Sequence, residues 1–315
     1  MISPRTPVSD ARRRSGGTIP GAPGQPAFHL ALERERPPVP VLIAVPHAGR
    51  TYPASLQKRM RQPAAASLRL EDRFIDLVAE AVARETGAGL LVALAPRAMI
   101  DLNRAPDDVD WDMVAEGAPQ PSARLAAGRR ARSGLGLVPR RLAGLGELWR
   151  SRLSRAELDA RIDGVHRPYH AALADSLEVL RDRWGGALLV DLHSMPPLGP
   201  KTGPGAAVDF VIGDRFGGSS GSHLSALAVG HLEQAGRRVA HNRPYAGGYV
   251  LDRHGAPARG VHALQVEVCR AAYLERSLRE PGRGIDGVVE LLAGLVRRAA
   301  AEIGGDRSHL AEAAE

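Results

Sequence analysis

The sequence is poor in cysteine and in long apolar runs, and each scarcity excludes a class of protein. One cysteine, Cys269, occurs in 315 residues, which excludes an intramolecular disulfide and a cysteine-rich zinc site. No apolar run approaches the ~20 residues that a membrane span needs, and the arginines at 12–14 have no apolar stretch behind them. We therefore expect a soluble, cytoplasmic protein with no membrane partner, in which histidines and carboxylates hold any metal ion.

Lysine and aromatic residues are also scarce, and this weakens the usual meaning of a positive charge. The net charge is +7, yet only two of the 42 basic residues are lysines, Lys58 and Lys201. The densest basic stretch, Arg124 to Arg141, contains no aromatic residue to stack on bases. We expect no nucleic-acid partner, and a noncatalytic protein that binds anions or nucleic acid stays as the alternative from a different class.

The order of apolar segments predicts one α/β domain with a mixed, mostly parallel sheet and helices on both faces. Residues 1–25 are predicted to form a disordered N-terminal tail, residues 26–303 the folded domain and residues 304–315 a flexible C-terminal tail. The predicted strands are 41–45, 89–94, 187–192, 208–212 and 262–268. The segment 115–150 has weak periodicity and is expected to be a long surface excursion.

Helices are predicted between these strands. Apolar residues between Phe74 and Val82 share one helical face, and Gly87 supplies a stop. Ser154 and Glu157 form a capping box, so that a helix begins there, and Pro168 is expected to kink or interrupt it. Further helices are expected over 169–184, 222–235 and 285–301.

Two histidines directly follow predicted strands. His47 comes after Val41–Val45, and His193 ends the run that begins at Ala187. Ligands of open α/β sheets bind beyond the carboxyl ends of the strands, where both histidines lie. Either one alone is typical of a loop histidine, but two at matching positions favour a metal site.

A catalytic zinc ion usually has three protein ligands, and a carboxylate is a common third. Glu71 and Asp72 open the predicted helix after the first strand, although acidic residues also suit a helix N-terminus. Asp191, two residues before His193, is a candidate to orient a ligand histidine.

Polar residues also follow the strand 89–94. Arg104 and Asn103 suit the binding of a carboxylate, because guanidinium offers a planar fork and an amide can donate to the same group. Arg97 offers another positive charge for an oxyanion. A surface ion pair between Arg104 and Asp101 is the structural alternative.

The last predicted strand carries a glutamate inside an apolar run. Burying Glu267 is costly unless it is paired or catalytic, so it is a candidate general base with a raised pKa. Cys269 has no evident activating partner and is interpreted as a small core residue.

Six motifs in this order resemble the N-formylglutamate amidohydrolase family, over roughly residues 27–300. They are Pro46–Arg50, Glu71–Asp72, Pro96–Arg97 with Asp101–Arg104, Asp191–Ser194, Asn242–Tyr249 and Gln265–Glu267. That family is similar in fold to zinc carboxypeptidases and aspartoacylases. The resemblance implies that the domain 26–303 is catalytic and binds one zinc ion through two histidines and one carboxylate.

The resemblance also implies the role of each residue. His47 and His193 would be metal ligands, Asn103 and Arg104 the carboxylate clamp, Arg97 the oxyanion donor and Glu267 the base. In carboxypeptidase-type sites the carboxylate ligand stands three residues after the first histidine, where this sequence has Arg50. The third ligand must come from elsewhere, and Asp72 is preferred over Glu71.

The implied reaction is hydrolysis of an N-acyl amino acid, with N-formyl-L-glutamate, which yields formate and L-glutamate, as the expected substrate. Its second carboxylate needs a further cation, for which Arg50 and Arg243 are the candidates. A related zinc hydrolase of another N-acyl amino acid or a small peptide is the alternative. The sequence leaves the oligomeric state open.

Overall fold

The protein is described by a computed structural model that covers residues 13–120, 122, 128–200 and 207–312, with side chains of the last helix described as far as residue 305. None of the helices in these ranges combines the length and the apolarity that a membrane span requires.

The described strands form an eight-stranded mixed sheet and a small hairpin. The strands of the sheet are β1 Arg13–Gly16, β2 Phe28–Ala31, β3 Val41–Val45, β4 Gly89–Ala93, β7 Ala187–Met195, β8 Phe210–Gly213, β9 Val239–His241 and β10 Val261–Cys269, and the hairpin consists of β5 Arg141–Leu142 and β6 Gly146–Glu147. Within the sheet they lie in the order β1-β2-β4-β3-β7-β10-β8-β9. The four central strands, β4-β3-β7-β10, are parallel, whereas β1 pairs antiparallel with β2, β2 with β4 and β8 with β10.

Helices cover both faces of the sheet, as predicted. They are α1 Ala54–Arg59, α2 Pro63–Leu70, α3 Ile75–Thr86, α4 Arg129–Arg132, α5 Arg155–Arg161, α6 Arg167–Trp184, α7 Ser222–Gln234, α8 Tyr249–His254 and α9 Ile285–Glu312. A π-helical turn, Ile162–His166, joins α5 to α6. The five predicted strands and the expected fold class are confirmed.

The central strands are buried on both faces because their side chains alternate between two cores. In β3, Leu42 and Ala44 belong to the core under α1, α2, α5 and α6, whereas Val41, Ile43 and Val45 belong to the core under α3, α7 and α9. This alternation continues in β7 and β10. Strands buried on both faces read as continuous apolar runs, which explains why they were recognisable in the sequence.

The helix signals of the sequence are also confirmed. Gly87 ends α3 in the left-handed conformation, at φ 75°. At the start of α5, the Glu157 N–H donates to Ser154 Oγ at 3.2 Å and the Ser154 N–H donates to Glu157 Oε2 at 2.8 Å. The π-helical turn stands where Pro168 was expected to disturb the helix.

The N-terminal segment corrects the predicted tail. Residues 1–12 lie outside the described part, but Arg13–Gly16 pairs with β2 and Ile19 is buried. Because Pro168 has no N–H, the Gly164 carbonyl loses its helical donor, and the Thr18 N–H donates to it at 2.8 Å instead. Composition alone favoured disorder here, whereas these long-range hydrogen bonds order residues 13–25.

The structure also corrects the predicted C-terminal tail and the predicted surface excursion. The helix α9 was expected over 285–301 and a flexible tail from residue 304, but the helix extends to Glu312. The excursion 115–150 includes α4, β5 and β6, and Leu137, Leu148 and Trp149 are buried in the core. Part of it is therefore packed against the domain.

Candidate active site

The sheet register brings the polar residues of β7 and β10 side by side. His193 lies opposite Glu267, and Asp191 lies opposite Gln265. Because side chains alternate along a strand, these four residues share the face that carries Leu189 and Ala263. They stand near the carboxyl ends of the parallel strands, where His47 follows β3. This edge of the sheet is the candidate active site.

Three ligand atoms converge there. His193 Nδ1 lies 3.1 Å from His47 Nδ1 and 3.1 Å from Asp72 Oδ2, and His47 Nδ1 lies 3.5 Å from the same Asp72 oxygen. All three residues are buried. In the described part of the chain, they are the group of histidine and carboxylate side chains whose geometry could hold a metal ion.

Carboxylates hold the outer nitrogen of each imidazole. His47 Nε2 lies 2.7 Å from Asp101 Oδ1, and His193 Nε2 lies 2.9 Å from Asp191 Oδ2. A carboxylate only accepts hydrogen bonds, so each Nε2 carries a proton. In the neutral imidazoles both Nδ1 atoms then present lone pairs towards an Asp72 oxygen. Three acceptor atoms at these distances repel one another unless a cation lies between them. The arrangement therefore fits a metal ion.

The same electrostatics stabilise a proton at this point when no metal is present. Burial opposes the charged imidazolium, but the Asp191 and Asp72 carboxylates outweigh it and raise the pKa of His193 well above its usual value. Burial likewise opposes the charged form of Asp72, but hydrogen bonds with His193 and His47 hold the pKa of Asp72 well below its usual value. The cluster thus favours positive charge at its centre.

Of the two acidic candidates, the structure places Asp72 beside the histidines. Glu71 instead pairs with Arg73, at 2.9 Å. Neither residue opens a helix as expected, since Glu71 caps the end of α2 in an extended conformation and α3 begins at Ile75. The Asp72 N–H donates to the His47 carbonyl at 2.9 Å, which fixes the two residues against each other.

Arg270, which the sequence reasoning missed, supports Asp72 from behind. Its guanidinium donates to Asp72 Oδ1 at 3.3 Å, to Ser194 Oγ at 3.1 Å and to the Glu71 carbonyl at 2.5 Å. Arg270 follows β10 directly, but the sequence does not reveal which of its many arginines turns inward.

Asp101 links His47 to Arg97. The Arg97 Nε and Nη2 atoms each lie 2.9 Å from Asp101 Oδ2. Asp101 is 1% exposed, so the surface ion pair with Arg104 considered above is wrong. Burial opposes the charged form, but Arg97 and His47 hold the pKa of Asp101 well below its usual value.

Glu267 is held by a chain of amide hydrogen bonds. Gln265 Nε2 donates to Glu267 Oε1 at 3.0 Å, Asn103 Nδ2 donates to Gln265 Oε1 at 3.3 Å, and the Val250 N–H donates to Asn103 Oδ1 at 2.9 Å. Burial raises the pKa of Glu267 to about 7; His193 opposes this rise and Asp72 adds to it. Glu267 is therefore poised to exchange a proton near neutral pH.

Asn103 and Arg104 both line the cavity, but their side chains are partly occupied. The Asn103 amide bridges Val250 and Gln265, as described above. Arg104 Nε donates to the Leu135 carbonyl at 3.1 Å, and Nη1 donates to the Asn103 carbonyl at 2.9 Å. Within the described residues, Arg104 Nη2 has no hydrogen-bond partner and remains available to a ligand.

The structure does not bring Arg50 or Arg243 into the site. Arg50 makes a bidentate ion pair with Asp76, with Nη1 3.0 Å from Oδ1 and Nη2 2.5 Å from Oδ2. Arg243 is exposed, and only its neighbours Asn242 and Pro244 line the cavity. The sequence suggested that both arginines bind the substrate. Their side chains turn away from the cavity, so this expectation is wrong.

A cavity of about 1040 Å³ opens above the histidines. Its wall includes further residues that the sequence reasoning did not select. They include Arg69 of α2, Arg129 and Arg130 of α4, and Arg215, Tyr245 and Arg270 from other segments. No local pattern marks them. The cavity is therefore rich in arginine around a buried cluster of acceptors.

Comparison with known proteins agrees with the motifs. Residues 39–274 match the family model described as N-formylglutamate amidohydrolase. An N-formylglutamate deformylase of Pseudomonas putida is 31% identical over 242 residues, which is 76% of this chain and 83% of the relative. One from Pseudomonas aeruginosa is 29% identical over 249 residues, covering 78% and 85% of the two chains.

Solved structures agree as well. The crystal structure of N-formylglutamate amidohydrolase from Ralstonia eutropha JMP134 has a TM-score of 0.77 and 35% identity, and the match covers 88% of this chain and 98% of that one. A gene product of Agrobacterium tumefaciens has a TM-score of 0.59 and 20% identity over 88% and 96% of the two chains, which supports the fold alone.

Proposed function

The chain belongs to the N-formylglutamate amidohydrolase family, and from this membership we propose that it hydrolyses N-formyl-L-glutamate to formate and L-glutamate. The observation that carries the proposal is the convergence of His47, His193 and Asp72 beneath an arginine-rich cavity, with Glu267 on the neighbouring strand. Such a site suits an amide substrate that carries negative charge.

His47, Asp72 and His193 would hold the metal ion, with zinc as the expected element and one ion per chain. The donor set of two imidazoles and one carboxylate is common in catalytic zinc sites. When bound, the ion would polarise the formyl carbonyl and lower the pKa of a water molecule. Asp101 and Asp191 support this role, because they keep both Nδ1 lone pairs directed at the centre.

Glu267 moves the proton in the proposed reaction. Its Oε1 atom is occupied by the Gln265 amide, which leaves Oε2 to face the cavity. Oε2 takes a proton from the attacking water as the new C–O bond forms. It then delivers this proton to the amide nitrogen as the C–N bond breaks. The pKa of about 7 suits both steps, since the group must gain and lose the proton at neutral pH.

The arginines orient the substrate and stabilise developing charge. We assign the carboxylate on the Cα atom of the substrate to Arg104, because its Nη2 atom is available beside Asn103. Arg97 is held rigidly by Asp101 and would donate to the oxyanion that forms on the formyl carbon. Asn103 is better described as a positioning residue, since its amide fixes Gln265.

A formate-release assay tests the proposal. We expect equimolar formate and L-glutamate from N-formyl-L-glutamate, measured by proton NMR, and a large loss in the Glu267→Gln variant with retained metal. No release from N-formyl-L-glutamate, together with hydrolysis of other N-acyl amino acids, would assign the chain to the broader alternative. No hydrolysis of any of them would reject the proposed chemistry.

A further inference from the structure

Residues 128–137, a described part of the excursion, are hydrogen-bonded to the domain beside the cavity. The Asp101 N–H donates to the Leu137 carbonyl and the Leu137 N–H donates to the Asp108 carbonyl, both at 2.7 Å. The Gly128 N–H donates to Asp108 Oδ1 at 2.8 Å. These bonds connect the excursion to the loop that carries the residues of the active site.

Arg104 is connected to the same segment. Its Nε atom donates to the Leu135 carbonyl at 3.1 Å, and the Leu135 N–H donates to the Arg130 carbonyl at 2.8 Å. Arg130 lies in α4 and lines the cavity. Through Leu135, these hydrogen bonds connect the backbone of Arg130 to the guanidinium of Arg104.

Most of the other arginines that line the cavity are already engaged. Arg97 pairs with Asp101, and Arg270 donates to four acceptors. Arg215 pairs with Asp252 at 2.5 Å, and Arg69 donates to the Ala143 carbonyl. By contrast, no described residue forms an ion pair or a side-chain hydrogen bond with the guanidinium of Arg130 or of its neighbour Arg129.

Arg130 is exposed, but its charge still acts on groups that line the cavity. Burial lowers the pKa of Arg104 and Asp101 opposes this, while Arg97 and Arg130 lower it further. Burial and Glu267 raise the pKa of Tyr245, and Arg130 opposes that rise. Arg130 is thus close enough to influence groups on two sides of the cavity, and the like charges of Arg104 and Arg130 are stabilised by a ligand with two negative groups.

We propose that Arg130 binds the side-chain carboxylate of the substrate while Arg104 binds the carboxylate on Cα. This inference rests on the proposed function and makes α4 the element that selects N-formyl derivatives of acidic amino acids. Arg130 takes the role that the sequence suggested for Arg50 and Arg243, which lie outside the cavity. Arg129, the neighbouring residue of α4, also lines the cavity and is the internal comparison.

Steady-state kinetics with two substrates test this assignment. N-formyl-L-glutamine has nearly the shape of N-formyl-L-glutamate but lacks the second charge. In Arg130→Ala we expect kcat/KM for N-formyl-L-glutamate to fall roughly 10- to 150-fold, the effect of losing one charge-assisted contact, mainly through KM. The rate with N-formyl-L-glutamine should stay close to wild type, and Arg130→Lys should keep part of the preference.

Two variants control for charge and position. Arg237→Ala removes one exposed positive charge away from the cavity and should leave both rates unchanged. Arg129→Ala changes the adjacent residue of α4 and should retain most of the preference for N-formyl-L-glutamate.

The outcomes separate this inference from the proposed function. If wild type hydrolyses N-formyl-L-glutamate but Arg130→Ala keeps the full preference, the assignment of Arg130 is wrong and the function stands. The same holds if Arg129→Ala loses the preference instead, or if both substrates slow equally in Arg130→Ala, which would indicate a structural role. If wild type releases formate from neither substrate, the proposed function itself fails.

Discussion

Replacing Asp101 by asparagine tests how the histidines are held for a metal ion. Asp101 Oδ1 accepts from His47 Nε2 at 2.7 Å and from the Asn103 N–H at 2.9 Å, while Oδ2 accepts from Arg97 at 2.9 Å. An asparagine has only one acceptor oxygen, so its NH₂ group must face a donor on one side. Arg97 can only donate, whereas His47 can change its tautomer, so we expect the NH₂ group to face His47 and the His47 proton to move onto Nδ1.

Losing the carboxylate that holds a metal-binding histidine typically reduces metal affinity 10- to 100-fold, which is about 1.4 to 2.7 kcal/mol. We therefore expect Asp101→Asn to bind zinc more weakly by about this factor in a competition titration with a chromophoric chelator.

Asp191→Asn is the matched control. Asp191 Oδ2 faces His193 Nε2 at 2.9 Å, whereas no group in the described part of the chain forms a hydrogen bond with the buried Oδ1 atom. An asparagine can keep its oxygen towards His193 and place the NH₂ group at the Oδ1 position, so the tautomer is retained. We expect a smaller loss of zinc affinity than in Asp101→Asn. An equal or larger loss in Asp191→Asn, or wild-type affinity in Asp101→Asn, would refute this assignment of protons.

Three further predictions concern the base and the fold. Glu267→Gln should keep zinc but lose kcat by a factor of at least ~10². Because the charged form of Glu267 is the active base, wild-type kcat/KM should fall as the pH drops through about 7, or through a lower value when a cation is bound. A flat pH profile would assign the proton to another group. Gln265→Leu removes the hydrogen bond that favours the charged carboxylate, so this acid limb should move to higher pH, and an unchanged limb would show that the amide chain does not act on Glu267. Ser154→Ala should lower the free energy of unfolding by ~1 kcal/mol in urea denaturation without changing kcat, since it removes only a helix cap far from the site; unchanged stability would argue against the capping box.

The elements that the sequence predicted well share one property, which is a strong local signal. The strands β3 and β7 are buried on both faces, so they appear as uninterrupted apolar runs. Because both strands are parallel, His47 and His193 had to reach the same edge of the sheet. Glu267 lies opposite His193 because β10 pairs parallel with β7 in that register, and the segment between α2 and α3 brings Asp72 to 3.1 Å from His193.

The expectations that changed depended on long-range contacts or side-chain direction. The segment 13–25 is ordered by a hydrogen bond to Gly164, which no local pattern in the segment reveals. Arg50 follows His47 closely, but its guanidinium turns to Asp76. Arg130 reaches the cavity only because the excursion folds back onto the domain.

A zinc titration of the chelator-treated protein, with formate release from N-formyl-L-glutamate as the readout, tests whether the proposed hydrolysis depends on the metal site. We expect negligible formate release without metal and a linear recovery that saturates at about one zinc ion per chain. Restoration should fail in His193→Ala. Full activity in protein shown by elemental analysis to be metal-free would contradict a metal-dependent hydrolysis.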